Sequence, residues 1–219
     1  MPWISSPDAL TEEQMNNNAD ICINLLRDMA IDDSTIASLL ANWESESGIN
    51  PGRHEVGGQG YGLIQWTPQS VLIEHAGAMG LSPYTDGDVQ VQVAIGEVAG
   101  TPATINEWYT SEAYISNYYN SGATSDMIGI SGSEFLENTM GWKPEKLVIL
   151  YMAGRERPSY DPEVNHYQQR IENATKWFAY MGGHPPIPRP DKPIPGWNAS
   201  AIIQWGAIAE TIRRRRIKL

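Results

Sequence analysis

Cysteine is almost absent from this chain of 219 residues. The single cysteine, Cys22, stands in an apolar run, so we expect a buried thiol and no intrachain disulfide. The fold therefore does not depend on an oxidising compartment. The four histidines are scattered without metal-ligand spacing, and no glycine motif typical of phosphate or dinucleotide binding is present. We accordingly predict no metal and no cofactor.

Phenylalanine and basic residues are also scarce. Two Phe accompany eight Trp and ten Tyr, side chains that combine an apolar ring with a polar group. Such rings suit carbohydrate surfaces, although ordinary core packing also uses them. Fifteen Lys or Arg stand against 26 Asp or Glu, a formal net charge of −11. With 41% hydrophobic residues, the chain can bury one substantial core.

The basic residues are concentrated near the C-terminal end. Residues 1–183 hold 8 Lys or Arg against 24 Asp or Glu, a net charge of −16, whereas residues 184–219 hold 7 against 2, a net charge of +5. Six prolines within residues 184–196 are typical of a stiff, extended linker. We therefore predict four parts, which are an arm over 1–18, a folded domain over 19–183, this linker, and an amphipathic basic segment over 197–219.

Residues 34–47 have the spacing of an amphipathic helix that ends in a carboxylate. At about 100° per residue, Leu39 and Trp43 share one apolar face, and Glu46 lies at its edge. A carboxyl group half-buried there loses hydration, which favours its neutral form. A general acid needs that form near neutral pH. Glu44 lies on the opposite flank, and the alternative for both carboxylates is an ordinary solvated helix charge.

A glycine-rich turn follows this helix, after a stop at Gly48. Four glycines stand within residues 57–62. Glycine costs backbone entropy in a packed core, but it lets the backbone approach a ligand closely. We expect Tyr61 and Trp66 to offer ring faces to sugars, and Gln65 to bind hydroxyl or acetamido groups. A plain surface loop or a short hairpin is the alternative.

Three blocks of the sequence resemble the phage tail lysozyme family, a branch of the goose-type lysozyme and lytic transglycosylase group. They are Glu46-Ser47-Gly48-Ile49-Asn50-Pro51, Gly60-Tyr61-Gly62-Leu63-Ile64-Gln65-Trp66-Thr67, and Glu156-Arg157-Pro158 followed by Arg170, Ala174 and Trp177. Residues 89–97 resemble the family's Gln…Glu helix. The resemblance covers residues 19–183. It implies a mainly α fold of the α+β lysozyme type, with a small β-hairpin over residues 55–66 at the cleft.

The resemblance also implies a function and a set of site residues. We expect a muramidase that cleaves the β-1,4 bond between N-acetylmuramic acid and N-acetylglucosamine in bacterial peptidoglycan. Glu46 is the expected general acid and Glu55 the candidate second catalytic group, since glycosidases usually employ two carboxylates. We expect Arg157 to pair with a buried carboxylate and anchor the last helix. The expected substrate-binding residues are Gly60, Tyr61, Gly62, Gln65 and Trp66.

Two alternatives to a muramidase stay open. A lytic transglycosylase would act on the same bond without consuming water. A lysozyme-like virion component without activity is the non-enzymatic alternative. The resemblance implies a location in the phage virion, in the tail, with action on the host cell wall. The first residues have neither the basic start nor the apolar stretch of a signal peptide, so we expect delivery by holin-type lysis or by carriage on a particle rather than by ordinary secretion.

The segment 197–219 has apolar residues at helical spacing, followed by the run Arg213–Arg216. We favour docking onto a phage structural protein. Contact with a membrane surface ranks second. We expect no nucleic-acid binding, because the interleaved aromatic residues of a binding platform are missing.

The remaining patterns predict a chain of helices. Residues 89–93 alternate apolar and polar side chains, which alone would suggest a strand, but the resemblance favours a helix. The predicted helices cover residues 19–30, 34–47, 67–79, 88–98, 103–119, 133–140, 144–153 and 161–181.

Overall fold

Eight α-helices follow one another in the computed structural model, which describes residues 2–183. They are α1 (Glu12–Asp28), α2 (Asp33–Ser47), α3 (Gln69–Ala78), α4 (Gly87–Ala99), α5 (Glu112–Ile115), α6 (Gly132–Glu137), α7 (Pro144–Tyr151) and α8 (Tyr167–Gly183). A π-helical turn, Met152–Glu156, continues α7 directly. The expected mainly helical, lysozyme-like fold is confirmed. No helix among these residues combines the length and apolar character needed to span a membrane.

Helix α2 lies at the centre of the fold. The Asp32 side chain caps its first turn, and Gly48, with φ of 70°, ends it. Helices α7 and α8 pack along it, and α1 and α6 contact it as well. The sequence predicts one apolar face, but small residues such as Ala37 and Ala41 let neighbours cover the other faces too. The residues from Thr35 to Trp43 are therefore all buried. Helix α2 leaves the core only at its C-terminal end.

Helix α1 begins within the predicted arm. A capping box between Thr11 and Gln14 starts it at Glu12 rather than at residue 19. The residues before it are held against the domain, because the indole N–H of Trp3 donates to Asp88. The boundaries of the arm and the domain stay predictions. The predicted linker 184–196 and basic segment 197–219 lie outside the described residues.

One predicted helix is wrong, and another is confirmed. Residues 103–119 are interrupted, with 3-10 turns at Ala103–Ile105 and Ser116–Ser121 on either side of α5. The Asn106 side chain accepts a hydrogen bond from Trp108 N, and short polar side chains of this kind compete with helical pairing. The alternating stretch at residues 89–93 is helical, as α4, and it is buried on nearly all sides.

The predicted β-hairpin over residues 55–66 is not confirmed. Within the described part of the chain, only isolated bridges join His54 to Tyr61 and Tyr61 to Trp66. Gly62 and Gln65 have φ of 81° and 53°, so the backbone turns back on itself twice instead of extending. The result is a compact loop rather than a ladder of paired strands.

Candidate active site

Glu46 occupies the place where the central helix leaves the core. Its side chain is 21% exposed, and its Oε1 accepts a hydrogen bond of 2.6 Å from the guanidinium of Arg170 on α8. Arg170 is itself buried, and it also donates to Asn42 Oδ1 at 2.7 Å and to the carbonyl of Asn165 at 3.2 Å. The Arg170 fork is therefore fixed by three acceptors, and it fixes Glu46 in turn.

The surroundings of Glu46 differ from the expected apolar surface. Leu39 and Trp43 are buried as predicted, but a buried cation faces the carboxylate as well. Arg170 belongs to the third of the sequence blocks that resemble the family, and the sequence predicts no partner for its side chain. A sequence signal for the pair does exist. A basic residue on the buried face of a helix requires an anion, and Glu46 is the acidic residue at the matching end of α2.

A second carboxyl group, Glu156, ends the π-helical turn. Its Oε1 is buried and has no hydrogen-bond partner in the described structure. Burial and the negative charge of Glu46 raise the pKa of Glu156 to about 8, against the opposing charges of Arg155 and Arg170. Both effects favour the neutral form of the Glu156 carboxyl. Glu156 belongs to the Glu-Arg-Pro block of the sequence, for which the resemblance implies no role of this residue in the site.

Glu97 on α4 is the third carboxyl group of the region, and it is completely buried. It accepts hydrogen bonds from Trp66 Nε1 at 2.8 Å and from Arg155 Nε at 3.0 Å, and His75 Nδ1 lies 2.6 Å away. Desolvation acts to raise the pKa of Glu97. The charge of Arg155 and the hydrogen bonds from these three side chains outweigh it, so the pKa is lowered. Glu97 is thus a fixed anion that joins α3, α4, the glycine-rich loop and the π-helical turn.

The glycine-rich loop is fastened to the C-terminal end of α2. Ser47 Oγ donates to the carbonyl of Leu63 at 2.8 Å, and Gln90 Oε1 accepts from Leu63 N at 2.9 Å. Gly62 makes this second contact possible, because a Cβ at that position would lie 2.5 Å from Gln90 Oε1. The predicted proximity of Glu46 and the Gly-Leu-x-Gln segment therefore has a physical basis in two buried hydrogen bonds.

Glu55 folds back onto its own loop. Its Oε2 accepts from Gly60 N at 2.9 Å, and a Cβ at Gly58 would lie 2.0 Å from the same oxygen. Glycine at position 58 therefore leaves the space that the Glu55 carboxylate fills. No contact within the described residues joins Glu55 to Glu46. Its assignment as a second catalytic group stays a prediction.

The residues predicted to bind sugars separate into two groups. Gly60 and Tyr61 border an open, polar cavity of about 320 Å³, together with His54 and Gln69, although the Tyr61 side chain is itself largely buried. Trp66 is only 3% exposed, because its indole packs in the core and donates to Glu97. It offers no open ring face for a sugar, in contrast to what the sequence suggested.

Gln65 is half-buried, and its side-chain amide donates hydrogen bonds to backbone carbonyls of the same loop region. Its Nε2 donates to the carbonyl of Gly62 at 2.9 Å and to that of Arg53 at 3.3 Å. Gly62 is buried beside Gln90. Contacts of Gly60, Tyr61, Gly62 and Gln65 with a substrate stay predictions.

Two further expectations are changed by the structure. Arg157 pairs with Glu107 at 3.0 Å and lies over the ring of Tyr109, so it does not anchor the last helix. The buried arginine pairings expected there are made by Arg155 and Arg170 instead. Their side chains come from the π-helical turn and from α8, and the turn shifts the register by one residue relative to an α-helix.

Glu44 is bound to α8 rather than free in solvent. It accepts from Lys176 Nζ at 2.7 Å and from the indole of Trp177 at 2.8 Å. Its partners are separate from those of Glu46, which agrees with its predicted position on the other flank of α2. Among the described residues, no three His, Cys, Asp or Glu side chains are grouped so that they could hold a metal ion.

Comparison with known proteins identifies relatives of this chain. The family model of phage tail lysozyme matches residues 17–181. Morphogenesis protein 1 of Bacillus phage B103 is 25% identical over 179 residues, which cover 80% of this chain and 42% of that protein. The chain therefore spans about two-fifths of the length of this curated relative. The matched region includes every side chain described above as part of the site.

Proposed function

The chain belongs to the phage tail lysozyme family, and from this membership we propose that it degrades bacterial peptidoglycan as a muramidase. The bond cleaved is the β-1,4 link between N-acetylmuramic acid and N-acetylglucosamine. One observation carries the proposal. Glu46 ends a buried helix, remains 21% exposed, and is held by Arg170 beside a loop that Ser47 fastens to the same helix.

Glu46 is the proposed general acid. It must hold a proton when the glycosidic bond breaks, and it gives this proton to the departing oxygen. The carboxylate that forms then faces the guanidinium of Arg170, whose geometry is fixed before the reaction by Asn42 and Asn165. Preorganised charge of this kind stabilises an anion at the moment it appears.

The second face of the sugar needs a group that orients the attacking water. Glu55 is the proposed group, since it lies in the loop between Glu46 and the Gly-Tyr-Gly turn. One of its oxygens is already occupied by Gly60 N, and the other is free of that contact. Glu55 would reach the water from the loop rather than from the helical core.

The polar cavity at the glycine-rich loop is the proposed place for a sugar unit. Its lining combines the backbone of Gly58 and Gly60 with the side chains of His54, Tyr61 and Gln69. N-acetylated sugars present hydroxyl and amide groups together with an apolar ring face. Such a ligand fits a lining of backbone, amide and aromatic groups.

We also propose the setting in which the enzyme acts. The family is that of phage tail lysozymes, and the relative in Bacillus phage B103 is named a morphogenesis protein. A lysin carried in the virion tail, which opens the cell wall during penetration, agrees with both. Residues 197–219 would then dock onto a phage structural protein.

Wall digestion tests the proposal. The full chain is incubated with isolated bacterial walls, and the soluble fragments are weighed by mass spectrometry. Reducing N-acetylmuramic ends, lost in Glu46→Gln and kept in the control Glu44→Gln, would support a muramidase. Anhydro ends, lighter by one water, would replace it with a lytic transglycosylase. An absence of fragments from walls of several cell types would favour an inactive virion component.

A further inference from the structure

Residues 2–8 lie against the domain as a strap without helix or strand. Two asparagine side chains of the domain bind the backbone of this strap. Asn18 accepts from Ile4 N at 2.9 Å and donates to Ile4 O at 2.8 Å. Asn50 accepts from Ser6 N at 3.1 Å and donates to Ser6 O at 2.8 Å. A side-chain amide has the donor and the acceptor of a peptide group, so each asparagine pairs with the strap as a neighbouring strand would.

Two glycines of the domain leave the space that the strap fills. A Cβ at Gly52 would lie 2.8 Å from Ser6 N, and one at Gly87 would lie 2.3 Å from the indole ring of Trp3. The nearest atoms around both positions belong to the strap. The Trp3 indole N–H also donates to Asp88 at 2.8 Å. The domain therefore has a groove that matches both the backbone of the strap and its one indole.

The asparagines that bind the strap also hold the turn after α2, residues 47–52. Asn18 Nδ2 donates to Ile49 O at 2.9 Å, and Asn50 N donates to Ser47 Oγ at 3.1 Å. Asn18 and Asn50 are completely buried. Without the strap their amide groups would lose partners in a place where unpaired polar groups are costly, so the turn would rearrange around them.

The same turn is joined to the glycine-rich loop by two side chains. Ser47 Oγ donates to Leu63 O. Gln90 Nε2 donates to Pro51 O at 2.9 Å, and Gln90 Oε1 accepts from Leu63 N. Glu46 directly precedes Ser47. A shift of the turn therefore moves the candidate acid and the loop relative to each other.

We propose that residues 2–8 belong to the catalytic unit, and that Asn50 is the positioning residue through which they hold Glu46 and the glycine-rich loop in place. Residues 2–8 precede the matched region 17–181, so the family match does not include this role. A misplacement of about 1 Å can cost about a hundredfold in rate even when its cause lies away from the chemistry. The effect on turnover rests on the proposed function, whereas the positioning of the turn does not.

Alanine at the two glycines of the groove displaces the strap in the full chain. The displacing variant combines Gly52→Ala with Gly87→Ala. The matched control combines Gly77→Ala with Gly182→Ala, because a Cβ at either of these positions meets nothing within 4 Å. None of the four glycines has a positive φ, so alanine adds no backbone strain in either variant.

Hydrogen exchange followed by mass spectrometry measures the positioning without any substrate. We expect the displacing variant to exchange about tenfold faster in residues 2–8, 47–52 and 60–66, because lost buried hydrogen bonds make local opening easier. The control should keep the wild-type rates. Acceleration confined to residues 2–8 would overturn the inference, since the strap would then be attached without holding the turn. Unchanged rates everywhere would also overturn it, since the strap would not occupy the groove.

Wall lysis measures the effect on turnover. At saturating wall concentrations, with the proteins shown to be folded by circular dichroism, we expect kcat of the displacing variant to fall about ten- to a hundredfold. The control should retain the wild-type kcat. Trp3→Ala removes the indole without adding an atom, and it should lower kcat as well.

Each contrary result in the lysis experiment has a distinct meaning. A lower urea midpoint with an unchanged kcat would assign the strap a purely structural role and overturn the inference. If wild type releases no fragments, the proposed function fails, and hydrogen exchange alone decides whether the strap holds the turn.

Discussion

Arg170 donates to Glu46 at 2.6 Å across 124 residues of sequence. This contact joins the last described helix to the end of the central one, and it places a fixed positive charge beside the candidate acid. Besides Glu46, the Asn42 side chain and the Asn165 carbonyl hold the guanidinium, so it stays in place when Glu46 changes its charge. The candidate acid is thus held in position by the same contacts that close the fold.

Replacement of Glu46 by Gln tests the general acid alone. Glutamine keeps an acceptor for Arg170 but has no acidic proton, so we expect wall lysis to fall by about 10²- to 10⁴-fold. The free energy of unfolding should change little. The release of reducing ends measures the first quantity, and urea denaturation measures the second. Full activity in a folded Glu46→Gln protein would remove Glu46 from the mechanism.

Loss of the Arg170 side chain should affect stability as well as activity. In Arg170→Met, Glu46 and Asn42 lose their shared donor, and breaking a buried ion pair costs about 3–5 kcal/mol. Arg157→Met is the control, because the Arg157–Glu107 pair is partly exposed and such pairs contribute about 1 kcal/mol or less. Urea denaturation of the two variants measures the loss in the free energy of unfolding for each. Equal losses would show that Arg170 has no special place in the fold.

Gly62 is constrained both by its positive φ and by the close approach of the Gln90 side chain. Comparison with Gly57, which has only the first constraint, separates the two effects. Both have positive φ, 81° and 75°, so Ala at either costs about 1–2 kcal/mol in backbone strain. A Cβ at Gly57 meets nothing within 4 Å, whereas one at Gly62 displaces Gln90 from Leu63 N. We expect Gly62→Ala to cost about 1–3 kcal/mol more, in urea denaturation, and to reduce lysis. Similar losses in both variants would contradict this assignment.

The raised pKa of Glu156 also predicts how stability depends on pH. A carboxyl group with a higher pKa in the folded chain stabilises fully below its unfolded value, and this contribution is lost as pH rises through the folded value. The window therefore runs from about 4.5 to about 8. Wild type should lose stability across it, by up to about 1.4 kcal/mol per pH unit, and Glu156→Gln should have a flatter profile.

Urea denaturation at several pH values measures this dependence without any substrate. Glu97 has a lowered pKa, so its contribution is lost only as the pH falls below about 4.5, outside that window. Identical slopes in wild type and Glu156→Gln would mean that Glu156 ionises normally in the folded protein.

Much of the helical framework could be predicted from local signals. Gly48 marks the end of α2, and helix α7 begins with Pro144 at its first turn. These signals act within a few residues, so a sequence displays them. The interruption of residues 103–119 depends on a competing side-chain bond at Asn106, which a count of apolar residues does not register.

The candidate site could be predicted only in part. Glu46 and the glycine-rich loop are recognisable, since each has a distinctive local composition. The partners Arg170 and Glu156 come from more than 100 residues away, and which carboxylate faces which guanidinium depends on packing. Trp66 shows the same limit, because an indole can bind a sugar or a buried carboxylate, and only the fold places it against Glu97.

The π-helical turn after α7 makes the arrangement of this site sensitive to the number of residues in the turn. Arg157 N donates to Met152 O, five residues back, so the turn holds one residue more than an α-helical turn would. That extra residue lets two consecutive side chains have different surroundings, with Arg155 bound to Glu97 on α4 and Glu156 under the influence of the Glu46 charge on α2. Deletion of one residue here would rotate the following side chains by about 100°. Arg155 and Glu156 would then no longer both occupy their present positions. The charge arrangement is thus encoded in residue count as much as in residue type.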